Sequence, residues 1–339
     1  MNNTDVLIAG AGPTGLTLAV DLARRGVACR IVDQAPEPAG GSKGKGLQPR
    51  TQEVFDDLGV VAPILAASAP YPPLRVRIGK VPVWQARMHE RAAPTDAVPY
   101  PTVVMHPQWR TEAVLRGRLA ELGGEVEQGV ALAGFEQDAR GVTARLGSGE
   151  RVRARYLVAA DGGRSTVRKA LGIGFTGETR EEQRSALADV RAEGLGREHI
   201  HVWVRPGRGM VALYPMAGTD TFQLLASLRP GVEPERTLAW YQRTFAERSM
   251  LRGVRLTELL WSSLYRVNIR LADRYRSGRV LLAGDAAHVH PPTGGRACST
   301  CCGGRTSRCC RRTPRPASPA APRCARTSRR GRTRARGTR

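Results

Sequence analysis

The segment Gly10-Ala11-Gly12-Pro13-Thr14-Gly15 constrains the fold more than any other part of the chain, because of what flanks it. It follows an apolar run, Asp5-Val6-Leu7-Ile8-Ala9, that reads as a short buried strand. It opens a stretch from Pro13 to Arg25 with Leu16, Ala19, Val20 and Ala23 at helical spacing. Gly26 closes that helix, and Ala28-Cys29-Arg30-Ile31-Val32-Asp33 reads as the next strand. Strand, Gly-rich turn, helix and strand make a βαβ unit, the usual opening of a doubly wound dinucleotide fold. In such a turn Gly10 permits the tight bend and Gly12 lets a pyrophosphate approach the backbone. Gly15 lets helix and strand pack closely, and the helix N-terminus faces the phosphates. Asp33 ends the second strand about 20 residues downstream, where a carboxylate can hold ribose hydroxyls. The glycines alone would also fit a structural turn; strand, helix and acid together favour dinucleotide binding.

A chain of 339 residues is too long for one small core, so about two domains are expected. A Gly/Pro/Lys-rich loop (34–47) precedes a helix from Thr51 to Leu58, and Pro-rich connectors (62–73 and 92–101) flank a strand-like piece near 74–84. Residues 109–122 carry a helical pattern, and 125–158 alternate like a small β-meander. Strand-like pattern dominates 181–230, a helix is expected over 235–249, and Arg279 to Ala283 reads as a final buried strand.

The net charge of +23 would point to nucleic acid if it were evenly spread. It is not: residues 296–339 hold 14 of the 53 basic residues and no acidic one, leaving 39 basic against 30 acidic in the body. Cysteine splits the same way, with only Cys29 in the body, which suits a reducing compartment without a disulfide scaffold. No run of about 18 apolar residues could span a bilayer. No secretory leader pattern opens the chain, so the expected location is cytoplasmic, away from membranes.

Two further segments resemble the first in kind. Tyr156 to Arg168 places Asp161-Gly162 after an apolar strand, and Val280 to His288 places Gly284-Asp285 after another. Each alone could be a structural turn. With Gly46-Leu47-Gln48-Pro49-Arg50-Thr51 and Gln108-Trp109-Arg110-Thr111-Glu112, in this order and spacing, they make the chain resemble the FAD-dependent aromatic hydroxylases, the class A flavoprotein monooxygenases acting on phenols and aromatic polyketides. The resemblance runs from about residue 4 to Gly295.

It implies an α/β fold: a Rossmann-like FAD-binding domain (1–180 and 269–295) with an inserted β-rich substrate domain (181–268). It also implies roles. Gly10, Gly12, Gly15 and Asp33 would hold the ADP half of FAD. Asp161 and Gly162 would serve FAD and the nicotinamide co-substrate, NADPH or NADH. Gly284 and a buried Asp285 would hold the ribityl chain. Gln108 and Arg110 would approach the flavin from the far side, with Lys43 and Arg50 nearby. Pro292, Gly294 and Gly295 would lie by the isoalloxazine. Lys43 stands where family members often carry Arg; it keeps the charge but lacks the planar fork. The implied reaction is hydroxylation of a small aromatic or polyketide substrate with O2 through a flavin C4a-hydroperoxide, with no metal. The rivals are an FAD oxidoreductase without hydroxylation, a halogenase, whose expected lysine motif is not seen, or an inactive flavoprotein or cationic binding protein.

His201, His288 and His290 could be general bases, but structural hydrogen bonding is the commoner use of such residues. Trp203, Met210, Tyr214, Pro215 and Phe222 could line a pocket for a flat ring, or simply be core. Residues 296–339 contain only Arg, Cys, Pro, Thr, Ser, Ala and Gly. Such a segment cannot bury a core, and a disordered tail is expected. Nucleic-acid binding lacks interleaved aromatics there, and zinc lacks paired knuckles. The composition favours out-of-frame translation past codon 295, with weak FAD retention and uncoupled NAD(P)H oxidation as the expected consequence.

Overall fold

The computed structural model describes residues 2–38, 40–88 and 92–290. Residues β1 (Asn2–Ala9), α1 (Pro13–Arg24) and β2 (Cys29–Asp33) form the expected βαβ unit. β1 also pairs in parallel with Arg151–Ala159, which pairs in parallel with Val280–Leu282. On the other side β2 pairs in parallel with Val126–Gln128. Both faces of this sheet are covered, which is why the second half of β1, Val6 to Ala9, reads as a continuous apolar run. On one face Ile8 and Ile31 pack with Leu16, Ala19 and Val20 of α1 and with Leu115 and Leu119 of the helix Gln108–Glu121. On the other, Leu7, Leu157 and Val280 meet Val142 and Ala144. The meander is three strands, Leu132–Gln137, Val142–Leu146 and Arg151–Ala159. Val126–Gln128 belongs to the parallel sheet instead.

A second sheet of eight strands is antiparallel except where Ile200–Arg205 runs parallel to Leu74–Ile78. Its central strands are Phe175–Glu193, Gly209–Pro215 and Phe222–Ser227. One face packs on the helix Leu238–Ser249, burying Trp203, Phe222, Tyr241 and Phe245. The opposite face carries Val202, Ala212, Tyr214 and Leu225 toward Met105. Leu74–Ile78 and Val81–Ala86 join this sheet although they lie far upstream of its other strands.

Besides the two-residue strands Gly46–Leu47 and Ala69–Pro70, which fall in an expected loop and connector, three longer elements depart from the sequence expectation. Arg255–Ala272 is an 18-residue strand where none was expected, because register shifts against Phe175–Glu193 interrupt its two-residue period. Val61–Ala66 is helical inside an expected connector; Pro63 sits in the first turn, where its missing N–H leaves no intrahelical bond unmade. Thr166–Ala170 is a helix too short to announce itself by periodicity. Among the described residues no helix is long and apolar enough to cross a membrane.

Candidate functional site

A cavity of about 520 Å³ opens where the C-terminal ends of β1 and β2 meet the N-terminus of α1. It brings together Gly10, Gly12, Asp33, Lys43, Gln108, Asp161 and Gly162 from five separate segments. Gly10 has φ +102°, and a Cβ there would lie 2.4 Å from the Ala160 carbonyl oxygen. A Cβ on Gly15 would lie 1.9 Å from the Gly10 oxygen. Those two glycines are demanded by the fold itself. Gly12 differs: its φ of −73° suits any residue, yet a Cβ would meet no described atom within 4 Å. Open space therefore lies over its backbone. Among the described residues no side chain caps α1, so the amides of its first turn are left for a ligand.

The acids complete the cradle. Asp33 Oδ2 accepts the Ala11 N–H at 2.7 Å and Oδ1 accepts the Ala35 N–H at 2.9 Å. A carboxylate offers about four acceptor positions, so two remain for hydroxyls. Asp161 Oδ2 accepts from the Thr166 N–H at 2.8 Å and its hydroxyl at 3.1 Å, holding the start of the helix Thr166–Ala170. Asp161 Oδ1 is enclosed and has no hydrogen-bond partner among the described residues. An orphaned acceptor in a cavity wall calls for a ligand donor.

Gln108 fastens the glycine-rich loop: its N–H donates to the Gly44 carbonyl and its Oε1 accepts the Gly44 N–H, both at 3.0 Å. Its Nε2 donates to buried Glu112 at 2.8 Å. Burial raises the Glu112 carboxyl, and the Gln108 bond with the charges of Arg116 and Lys43 offsets this in part. Glu112 and Arg116 also line the cavity; Glu112 closes the Gln108–Glu112 segment that carries the resemblance, whereas Arg116 was not singled out. Their signal was available, since 108, 112 and 116 recur at i, i+4 on one helix face.

Other expected residues lie elsewhere. Arg50, near the start of the helix Pro49–Asp57, points outward to Glu53 with 83% of its side chain exposed. Arg110 reaches away from the first cavity to donate to the Gly218 carbonyl at 2.6 Å. Gly284 adopts φ +60° against Thr14, which brings Asp285 beside the start of α1 but not into the cavity lining. Asp285 is exposed rather than buried as expected. Crowding still raises its carboxyl, opposed by the charges of His288, His290 and Lys43. Pro292, Gly294, Gly295 and the 296–339 tail lie outside the described residues.

The remaining candidates separate by face. Trp203 and Phe222 are core against the 238–249 helix, not pocket wall. Pro215 lines only a small cleft, while Met210 and Tyr214 pack on the opposite face with Met105. His201 is buried, bonds the Gly196 carbonyl at 2.8 Å and stacks on Trp203; burial lowers its pKa, so it is a neutral structural residue. His288 and His290 stack on one another 6.1 Å apart.

One constellation had no sequence signal. Lys45 Nζ lies 4.0 Å over the Tyr214 ring and donates to Gln223 Oε1 at 2.5 Å. Gln223 Nε2 donates to the Ser42 carbonyl, and the Ser42 N–H donates to Asp189 Oδ2 at 2.8 Å. The second sheet thus clasps the loop that carries Lys43. Residues some 180 positions apart meet here, beyond the reach of any local pattern.

Residues 3–300 match the family model described as FAD binding domain. The chain belongs to this FAD-binding family, that of the flavin-dependent aromatic hydroxylases. It is 46% identical over 305 residues to a flavin-dependent monooxygenase of Mycobacteroides abscessus, covering 87% of this chain and 64% of that protein. It is 37% identical over 300 residues to 6-methylpretetramide 4-monooxygenase of Streptomyces rimosus, covering 87% and 53%. A solved ternary complex of aklavinone-11 hydroxylase with FAD and aklavinone matches with a TM-score of 0.75 at 29% identity, covering 87% of this chain and 59% of that one. The chain therefore spans between 53% and 64% of these two curated relatives.

Proposed function

We propose that the first cavity holds FAD and that the chain serves NAD(P)H- and O2-dependent hydroxylation of an aromatic or polyketide substrate in the cytoplasm. The observation that carries this is the open space over Gly12 at the uncapped start of α1, with the spare acceptors of Asp33 beside it. When bound, FAD supplies the redox chemistry: two electrons from NAD(P)H, with one oxygen atom of O2 going to the ring and the other to water. The chain's own residues bind and orient. The Gly10–Gly15 turn and the α1 amides receive the pyrophosphate, and Asp33 accepts from ribose hydroxyls. Asp161 Oδ1 accepts one further donor. Lys43 contributes positive charge near the cavity, and Gln108 holds the loop that carries it. Gly284 and Asp285 stand at the far side of the α1 start, where a ribityl chain would pass. Segments 1–180 and 269–295 make the cofactor part, and 181–268 the substrate part, which Leu74–Ile78 and Val81–Ala86 extend.

Gly12→Val tests the cavity at little expense to the fold, because a Cβ at Gly12 meets no described atom within 4 Å and its φ is ordinary. The variant is expected to keep the wild-type melting curve while FAD affinity, read by flavin fluorescence, falls at least about tenfold, one hydrogen-bonded contact's worth or more. Unchanged FAD affinity in Gly12→Val would remove the pyrophosphate from this turn. Product mass from phenols supplied with NAD(P)H and FAD tests the hydroxylation.

A further inference from the structure

The hairpin of Leu74–Ile78 and Val81–Ala86 stands at one end of the second sheet, and its later strand is the edge strand. It lines neither the cofactor cavity nor a second cavity, of about 990 Å³, walled in part by Trp109 and Trp261. Yet Ile78, Val81, Val83 and Trp84 are each more than half exposed. Residues opposite one another in a pair share a face, and here Val76 meets Trp84 and Ile78 meets Val81. Exposed Val204, two residues beyond Val202 on the adjoining strand, falls on that face as well. The face begins as core, where Val76 and Val202 pack with Ala212, and runs out into solvent at the tip. On the side that carries the 238–249 helix, exposed Met250 closes on the tip: a Cβ on Gly79 would lie 2.8 Å from its methyl carbon. Apolar groups therefore surround the tip instead of marking one flat patch. Trp203 Nε1 donates to the Gly79 carbonyl at 3.2 Å and fixes the turn in place.

The charges here have one sign. Residues 71–88 hold Arg75, Arg77, Lys80 and Arg87 and no acid. Among the described residues none of the four forms an ion pair: Arg75 bonds Gln85 and His199, and Arg77 donates to the Lys80 carbonyl at 3.3 Å. A second copy of the edge strand fits poorly. Pro82 brings no N–H to the edge, a register shift follows Val76, and the like charges of two copies would repel. A flat protein face would leave the Met250 side uncovered. A bilayer interface accepts apolar groups on all sides of a tip, takes indole at headgroup depth, and meets cations with phosphate.

We infer that the 78–84 tip rests in the headgroup layer of a bilayer carrying anionic phospholipid. Ile78, Val81 and Trp84 reach the upper acyl chains, and Lys80 and Arg87 meet the phosphates. Among the described residues no helix is long and apolar enough to span, so the contact is with one leaflet. The inference is independent of the cofactor reading, since the tip contributes nothing to the cofactor cavity.

Quenching of tryptophan emission by lipids brominated on the upper acyl chain tests it, with the full chain and vesicles of phosphatidylcholine and phosphatidylglycerol. The 14 arginines of 296–339 can hold the chain at such a vesicle unaided, so the readout must come from the hairpin. Wild type should lose up to about a fifth of its emission on brominated over plain lipid, the share of one indole in five. Trp84→Phe keeps the apolar bulk and should lose that quenching. Val81→Asp, at a position 62% exposed, keeps Trp84 but should abolish its quenching while melting with wild type. Lys80→Glu should need at least about fivefold more lipid for half-quenching, one cation's worth at an anionic surface. Equal quenching in wild type and Trp84→Phe, or undiminished quenching in Val81→Asp, overturns the inference. Half-quenching of Lys80→Glu at the wild-type lipid concentration overturns its anionic part. A dimer in sedimentation velocity that Val81→Asp dissolves and vesicles leave intact would give the tip to a second copy and likewise overturn it.

Discussion

Lys45 shows what a single side chain contributes here. Its ammonium is enclosed by Tyr214, Gln223 and the neighbouring Asp189, although the residue keeps some accessible surface. Burial lowers its pKa to about 8 from an ordinary 10.5, and the charge of Asp189 opposes the shift. A base whose folded pKa is depressed binds fewer protons folded than unfolded between those two values. Its contribution to stability therefore rises as pH climbs from about 8 toward 10.5. Comparing Lys45→Met with wild type in thermal melts at pH 7 and pH 10 isolates this group from other titrations. Wild type is expected to gain on the variant at pH 10; a pH-independent difference would show that the ammonium is not held in this enclosure. The same loop shows the opposite demand on acids: burial raises Asp189, and the Ser42 bonds and Lys45 charge bring it part of the way back.

At the scale of elements, short helices here depend on their ends more than on their length, as nucleation theory expects. Thr166–Ala170 has five residues and is fixed by fully buried Ser165, whose Oγ accepts the Arg168 N–H at 3.0 Å, and by Asp161. Ser165→Ala should cost about 1 kcal/mol in urea unfolding. It should also loosen Asp161, so FAD affinity is expected to fall with it. The helix Leu238–Ser249 ends on Met250, a non-glycine residue at φ +56° with an exposed side chain. Met250→Gly relieves the left-handed conformation and should stabilise by about 0.5–1 kcal/mol after the entropy given to the unfolded chain. A lower denaturant midpoint for Met250→Gly would show that the side chain's packing outweighs its backbone strain.

For the molecule as a whole, the two large sheets are coupled through the loop of residues 40–47. Gln108 and Gly44 attach it to the cofactor side, and Gln223, Asp189 and Lys45 attach it to the second sheet. Gln223 is fully buried and serves both Ser42 and Lys45. Gln223→Leu should destabilise by about 1–3 kcal/mol, because it strands two buried polar partners. Amide hydrogen exchange at 42–46 should accelerate more than in the sheets themselves. If acceleration is uniform instead, the clasp is not a local unit.

The sequence by itself determined the βαβ opening, the cofactor class and seven residues of the cavity wall. Gly10, Gly12, Gly15, Asp33 and Asp161 sit at turns whose backbone chemistry is local, so their meaning survives without the fold. It could not reveal the Arg255–Ala272 strand, whose bulges erase the period, nor that Trp203 and Phe222 face the helix rather than a pocket. Nor could it show that Arg50 and Arg110 turn away from the cofactor cavity, since a side chain's direction depends on partners such as Glu53 and Gly218. The Lys45–Gln223–Ser42–Asp189 clasp and the second cavity were decided only by tertiary structure. They join residues far apart in sequence, and their energetics come from enclosure, a property no residue has until the chain has closed around it.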